Sequence, residues 1–268
     1  MQGGLHPDHT LDTYIELVNH IKQNHPIHIH AFSPPEIHHV ATKAQLSYKD
    51  TLLKLKEAGL ASMPGGGAEI LVDEIRDPIA VGKCSVDEWL EIMRQSHLVG
   101  IKSTATMMLG HIESWEDRLL HLQKIRDLQD ETKGFISFIP WTFQPENTPL
   151  HPNIKRNKNV HLASAFEYLR FLAISRLFLD NFDHIQVSLL TQGAKVAQIG
   201  LYYGSDDLGS LLIEENVVRL AGRNQEAHLE REKMVSLISE AGLTPFERDT
   251  YYHEINPQYS TKAKVVGM

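Results

Sequence analysis

Ser62-Met63-Pro64-Gly65-Gly66-Gly67-Ala68-Glu69 is the stretch from which the fold is read. Three consecutive glycines follow the short apolar run Gly59-Leu60-Ala61 and stand just ahead of an acid. Backbone N–H groups are thus left bare of side chains where a strand hands over to the next segment. Such a loop lets a ligand touch the main chain, and it is equally compatible with an ordinary tight turn. Recurrence favours the first reading, because similar polar punctuation follows several other strand candidates.

Toward the N-terminus, Thr10 is expected to cap a helix whose apolar positions Leu11, Tyr14, Ile15, Val18 and Ile21 follow helical spacing and which Asn24-His25-Pro26 ends. Residues 27–32 alternate apolar residues with His, as a strand does, and stop at Ser33-Pro34-Pro35-Glu36. Ser47 with Asp50 opens a helix that stops at Gly59. The opening Met1-Gln2-Gly3-Gly4-Leu5-His6-Pro7 reads as the tail of a strand running into a turn.

Toward the C-terminus the same unit recurs. Ser85 with Glu88 opens a helix ending at Gly100, before a strand over 101–109. Ser114 with Asp117 opens another ending near Gly134, before a strand over 135–141. A Pro- and Asn-rich connection over 144–160 precedes an apolar helix over 163–179, a buried-type strand over 185–190 and a helix through 196–203. Then come a last barrel strand over 207–212, a helix over 230–241 and a short appended strand over 244–249. Strict alternation of strand and helix means a parallel sheet.

Seven strand ends are countable, and a closed barrel needs eight. The expectation is therefore an α/β fold, a TIM-type (β/α)8 barrel lacking its first β/α unit in this chain, with a short C-terminal appendage and one domain over 1–268. In such barrels the chemistry sits where the strands' C-termini point. That mouth would be lined by residues 2–4, 33–36, 65–69, 111–113, 141–144, 191–192 and 206–210.

Composition narrows the function classes. The 268 residues are 42% hydrophobic and 22% charged, with a net charge of −8, and no Lys/Arg stripe suggests a nucleic-acid surface. No apolar run approaches the ~20 residues that cross a bilayer, and no basic-then-apolar signal opens the chain, so the expected location is cytoplasmic, with no membrane partner. The one cysteine, Cys84, excludes an internal disulfide framework and any Cys-rich metal site made within these residues. It stands just ahead of a helix start and is read as a small buried residue on the side opposite the mouth.

Five runs carry a resemblance: Gln2-Gly3-Gly4-Leu5-His6-Pro7, His28-Ile29-His30-Ala31-Phe32-Ser33-Pro34-Pro35-Glu36, Met63-Pro64-Gly65-Gly66-Gly67-Ala68-Glu69, Ala105-Thr106-Met107-Met108-Leu109-Gly110-His111-Ile112-Glu113 and Phe138-Ile139-Pro140-Trp141-Thr142-Phe143-Gln144-Pro145. Together they resemble the radical S-adenosylmethionine enzymes of the futalosine route to menaquinone, over essentially the whole chain. The triple glycine, the Ile-Pro-Trp-Thr-Phe-Gln run and Gly209-Ser210 followed by Glu214-Glu215-Asn216 look most like the cyclic dehypoxanthine futalosine synthase type. Aminofutalosine synthase and the two halves of the deazaflavin-cofactor synthase are the relatives kept as alternatives.

The resemblance implies S-adenosylmethionine and a 4Fe-4S cluster as cofactors, a nucleoside substrate, and an electron donor such as flavodoxin or ferredoxin. It implies that an adenosyl radical takes a hydrogen atom from the substrate ribose, after which the sugar radical closes onto the neighbouring benzoate ring. The family's C-x-x-x-C-x-x-C run is absent, so the cluster ligands are expected upstream of Met1 and this fragment is expected to be inactive or impaired.

By the same resemblance Gln2, Gly3, Gly4, Gly65, Gly66, Gly67 and Glu69 would bind cofactor. Glu36, His111 and Glu113 would serve as ribose or adenosine contacts or as proton acceptors, and Trp141, Thr191, Gln192 and Asn216 would contact substrate. Each has a plainer reading beside it: first-turn acid for Glu69, turn residue for Glu36, core packing for Trp141. Two other classes stay open, a non-catalytic barrel fragment and a zinc-dependent barrel hydrolase using His28-x-His30.

Overall fold

Small polar residues start the helices, and their side chains show why. In the computed structural model, which describes residues 1–146, 161–211 and 230–255, Thr10 caps α1 (Leu11–Asn24), Ser47 caps α3 (Tyr48–Ala58) and Ser85 caps α5 (Val86–Leu98). Ser114 caps α6 (Trp115–Thr132) and Ser164 caps α7 (Ala165–Phe178). Each hydroxyl accepts an N–H of the first turn that has no partner inside the helix.

One helix longer than a single turn escaped the sequence reading. Pro34-Pro35 looks like a stop, yet α2 (Pro34–Ala44) begins there under a Ser33/Glu36 capping box. Proline in a first turn surrenders an N–H that the helix could not have used, so it starts helices as readily as it ends them.

Between the helices run β1 (Ser62–Met63), α4 (Asp73–Arg76), β2 (Lys102–Leu109), β3 (Phe135–Thr142), β4 (His184–Ile185), α8 (Leu189–Gln192), α9 (Ala194–Gly200) and α10 (Arg231–Glu240). The four strands pair in parallel in the order β1-β2-β3-β4. Parallel bridges His30↔Ser62 and Gln186↔Asp207 extend both edges. Met1 N donates to His30 O at 2.6 Å and Phe32 N to Met1 O at 3.0 Å, which adds the N-terminal stub beside residue 31. Seven parallel strand positions therefore follow one another in chain order, the partial barrel expected.

The outer strands are shorter than read. The 27–32 strand reduces to a bridge at His30, and the 185–190 strand ends at Ile185 because 189–192 wind into α8. The 207–212 strand reduces to a bridge at Asp207, and residue 212 lies outside the described residues.

On β2, Ala105, Met107 and Leu109 share one core with Phe138 of β3 and with Trp89, Leu122, Ile125, Tyr168 and Phe171 of the helices. A second core gathers Leu11, Tyr14, Val18, Ile37, Leu52 and Leu55 under α1 to α3. Each fully buried Val, Leu, Ile, Met or Phe among them contributes about 1.5–3 kcal/mol.

The C-terminal appendage, read as a single strand, is a hairpin with Arg248 bridged to Glu254. Tyr251 donates to Ala61 O at 3.0 Å, and the Tyr252 ring stacks on His184 at 3.5 Å. Both partners stand at the N-terminal ends of strands, so the hairpin covers the end opposite the glycine loop.

Candidate functional site

The three glycines of the loop after β1 meet three different neighbours, and those at Gly65 and Gly67 leave no room for a side chain. A Cβ on Gly65 would stand 2.5 Å from Thr104 O of β2, one on Gly66 would stand 2.9 Å from Gln2 Oε1, and one on Gly67 would collide with Pro35 at the start of α2. Gly67 also has φ +74°, where a side chain is strained. The loop therefore presses against β2 on one side and against the N-terminal turn and α2 on the other. Had the Gln2–Gly4 turn and the triple glycine stood at opposite ends, a shared ligand would be impossible; they touch.

Glu36 ties the same corner together. Its Oε2 accepts from Ser33 N at 2.8 Å and Ser33 Oγ at 2.7 Å, closing the capping box, while Oε1 accepts from Gly3 N at 2.9 Å. Glu36 is buried, so this carboxylate both starts α2 and holds the glycine turn. Glu69 does not sit in a helix first turn. It has φ +48°, its O accepts from Met108 N at 2.7 Å, and its buried carboxylate meets Lys83 Nζ at 2.5 Å.

His111 and Glu113 meet at the end of β2, with His111 Nδ1 3.1 Å from Glu113 Oε2. His111 Nε2 lies 3.1 Å from Met108 O, which only an N–H can satisfy, so Nε2 carries a hydrogen and Nδ1 does not donate in the neutral ring. Burial pushes the imidazole below its usual range and Glu113 pulls it partly back. Glu113 itself is heavily used: it accepts from Gly110 N, His111 N, and both Nε and Nη2 of Arg118. Arg118 Nη1 stands 2.7 Å from Glu167 Oε1, so a buried charge network runs from β2 to α7.

On β3, the half-buried Trp141 stands opposite Met108 in register. Thr191 and Gln192, in α8, lie against the end of β3: Gln192 Nε2 donates to Thr142 Oγ1 at 2.8 Å, Thr191 Oγ1 accepts from Thr142 N at 3.4 Å, and Gln144 Nε2 donates to Thr142 O at 2.9 Å. Asn216 lies outside the described residues.

Two placements differ from the sequence reading. Cys84 is buried, and burial pushes its thiol up to about 11, but it precedes α5 and touches Arg76, which donates to Gly67 O. It therefore lies on the glycine-loop side rather than opposite it, because a helix that returns from a strand end starts at that end. His28 Nε2 and His30 Nδ1 both contact Ser62 Oγ at 2.7 Å. Among the described residues no group of three His, Cys, Asp or Glu side chains is arranged to hold a metal.

The site residues that sequence reasoning missed are Arg76, Lys83, Thr106 and Arg118. Arg76, Lys83 and Arg118 sit in none of the five quoted runs and Thr106 lies in one without being singled out; each reaches the site through a side chain from a helix, a loop or a neighbouring strand.

For an iron–sulfur cluster these residues do not fit: the chain's single cysteine is buried and held as a thiol. For S-adenosylmethionine they fit in chemical kind, since the bare glycine backbone of the loop stands against the Gln2 amide, where a Cβ on Gly66 would come within 2.9 Å of Gln2 Oε1. No helix among the described residues is long and apolar enough to cross a membrane.

Residues 1–125 match the Radical SAM superfamily and residues 132–260 match the CofH/MqnC C-terminal region. The chain is 45% identical to cyclic dehypoxanthine futalosine synthase of Halalkalibacterium halodurans, over 95% of this chain and 67% of that protein. It is 42% identical to aminodeoxyfutalosine synthase of Thermus thermophilus, over 95% and 68%. It is also 42% identical to 5-amino-6-(D-ribitylamino)uracil–L-tyrosine 4-hydroxyphenyl transferase of Methanospirillum hungatei, over 95% and 69%.

The chain thus spans about two thirds of the length of these relatives. Among solved structures, methylornithine synthase superposes with TM-score 0.62 at 19% identity, covering 88% of this chain and 64% of that one, which shows the fold. With a parallel α/β partial barrel, glycine-lined strand ends and these matches along nearly its whole length, the chain belongs to the radical S-adenosylmethionine superfamily of enzymes, in the group that includes the futalosine-type synthases.

Proposed function

We propose that this chain is the S-adenosylmethionine- and nucleoside-binding part of a cyclic dehypoxanthine futalosine synthase, with residues 1–268 forming one barrel domain. The observation that carries the reading is the contact between the Gln2 amide and Gly66, which joins loops from two separate strands on one rim. Gln2, Gly3 and Gly4, with Gly65 to Gly67 and Glu69, hold the cofactor. Bound S-adenosylmethionine is the source of the adenosyl radical in this family.

The chain's own residues bind, shield and handle a proton. Glu36 keeps the N-terminal turn in place through Gly3, and Trp141 offers a flat, half-buried face to an aromatic ring. Thr191 and Gln192, ordered by Thr142, and Asn216 contact the substrate. His111 takes the proton at Nδ1, and Glu113 stabilises the cation that results. An electron donor such as flavodoxin or ferredoxin is external to these residues. By themselves the 268 residues bind ligands without turnover, because they carry one cysteine where a cluster needs several.

Calorimetric titration tests the reading. The chain is expected to bind S-adenosylmethionine, to lose it on Gly66→Val, and to bind dehypoxanthine futalosine in preference to 5-amino-6-(D-ribitylamino)uracil. Preference for the ribitylaminouracil would assign the chain to the transferase-like relatives. No binding of S-adenosylmethionine by the folded chain would overturn the proposal.

A further inference from the structure

His28 and His30 belong to no part of the site described above, and one hydroxyl joins them. Ile29 and Ala31 lie in the core under α1 to α3, as does Met63 of β1, so their neighbours His28, His30 and Ser62 face the opposite, inner side of the sheet. There Ser62 Oγ stands 2.7 Å from His28 Nε2 and 2.7 Å from His30 Nδ1. Ser62 is fully buried, His30 half-buried and His28 exposed, so the three groups run from the interior of the barrel to its surface. His30 Nε2 meets no partner among the described residues, and the Tyr251 ring of the C-terminal hairpin stands edge-on to His28 at 5.2 Å.

Hydrogen counting shows what this geometry can do. A serine hydroxyl has one hydrogen, and a neutral imidazole has one N–H and one bare nitrogen. Ser62 therefore donates to one ring and accepts from the other, in either of two arrangements that share the same heavy-atom positions. In one, His30 Nδ1 donates to Ser62, Ser62 donates to His28 Nε2, and His30 Nε2 is left bare. In the other, every hydrogen has shifted along the chain. Burial holds His30 down to about 4 and keeps His28 below its usual range, so both rings are neutral near pH 7. The charges around them are the Met1 amino group and Arg248 near His30, and Asp249 and Lys22 near His28.

We propose that His30, Ser62 and His28 form a proton relay joining the interior of the barrel to solvent at the N-terminal ends of the strands. A proton that reaches His30 Nε2 releases the Nδ1 hydrogen to Ser62 Oγ, Ser62 passes its own hydrogen to His28 Nε2, and His28 gives up its Nδ1 hydrogen to water. One proton enters and one leaves, and no oxidant or reductant takes part. The reverse sequence carries a proton inward. The relay is separate from His111, which stands at the other end of the barrel, and it does not rest on the substrate given under Proposed function.

Nitrogen-15 NMR of the histidine-labelled full chain, with relaxation dispersion at the ring nitrogens, tests the relay. In wild type at neutral pH, His28 and His30 are expected to exchange between two tautomers at one shared rate, and that rate should fall in D2O. Ser62→Ala should abolish the shared exchange, and Ser62→Thr, which keeps a hydroxyl, should restore it. His28→Leu leaves the Ser62 hydrogen one imidazole to serve, so His30 should settle into the tautomer that carries its hydrogen on Nε2. His28 is exposed, so this variant decides the matter even if the buried Ser62 variants do not fold. A single fixed tautomer at each ring in wild type overturns the proposal. So does exchange that survives Ser62→Ala, or a His30 ring that still samples both tautomers in His28→Leu.

Discussion

His121 shows how much a single buried side chain commits to one protonation state. It is fully buried on α6, its Nδ1 accepts from Leu71 N at 3.0 Å, and burial pushes its pKa down to about 3. An unfolded histidine titrates near 6.5, so the stability this neutral ring contributes is fully present above that pH and is lost as pH falls toward 3. Thermal melts between pH 7 and 4 should show falling Tm for wild type. The fall should be shallower for His121→Asn, which keeps an acceptor for Leu71 N but cannot titrate. At the site, Glu113 accepts four N–H bonds beside a buried Arg118. Glu113→Ala should therefore cost about 3 kcal/mol in denaturant unfolding, the scale of breaking a buried pair. A loss near zero would mean that the network is not held in solution.

At the scale of elements, the capping residues carry the argument. The Ser85 hydroxyl accepts from Glu88 N at 3.3 Å, and the Glu88 carboxylate accepts from Ser85 N at 2.7 Å. Ser85→Ala is expected to lower stability by about 1 kcal/mol in urea melts. It should leave the glycine loop unaffected except through Trp89, one turn further along α5. This is also why helix starts were legible from sequence: Ser-x-x-acid patterns act on neighbours three residues away. The edge strands were not legible in length, because whether Leu189 continues β4 or winds into α8 depends on what it packs against.

At the scale of the molecule, Asp207 fastens the last strand position to the C-terminal hairpin. It accepts from Arg248 Nη2 at 2.5 Å and from Tyr252 Oη at 2.6 Å. Removing the carboxylate with Asp207→Ala strands a partly buried guanidinium, so the hairpin should detach before the barrel unfolds. Proteolysis within 247–255 should accelerate at temperatures where the melting signal of the barrel is unchanged. A variant with wild-type protease resistance would show that the hairpin is held by Tyr251 and the His184 stack instead. A further whole-chain expectation is that incubating this chain with iron and sulfide yields no 4Fe-4S absorption band. A band at full occupancy would contradict the buried, unreactive placement of Cys84.

Much of this protein was decided by local chemistry. Most of the alternation of strands and helices, the Ser- and Thr-capped helix starts and the glycine loop depend on residues within a few positions of one another, so the amino-acid order alone determined them, along with the family resemblance. Tertiary structure alone decided which distant groups meet: Gln2 against Gly66, Glu36 on Gly3, Lys83 on Glu69, and Arg76, Trp89 and Thr106 behind the loop. Those contacts join residues from nine to more than forty positions apart, at no fixed spacing, so no periodicity encodes a meeting that exists only once the barrel has curled.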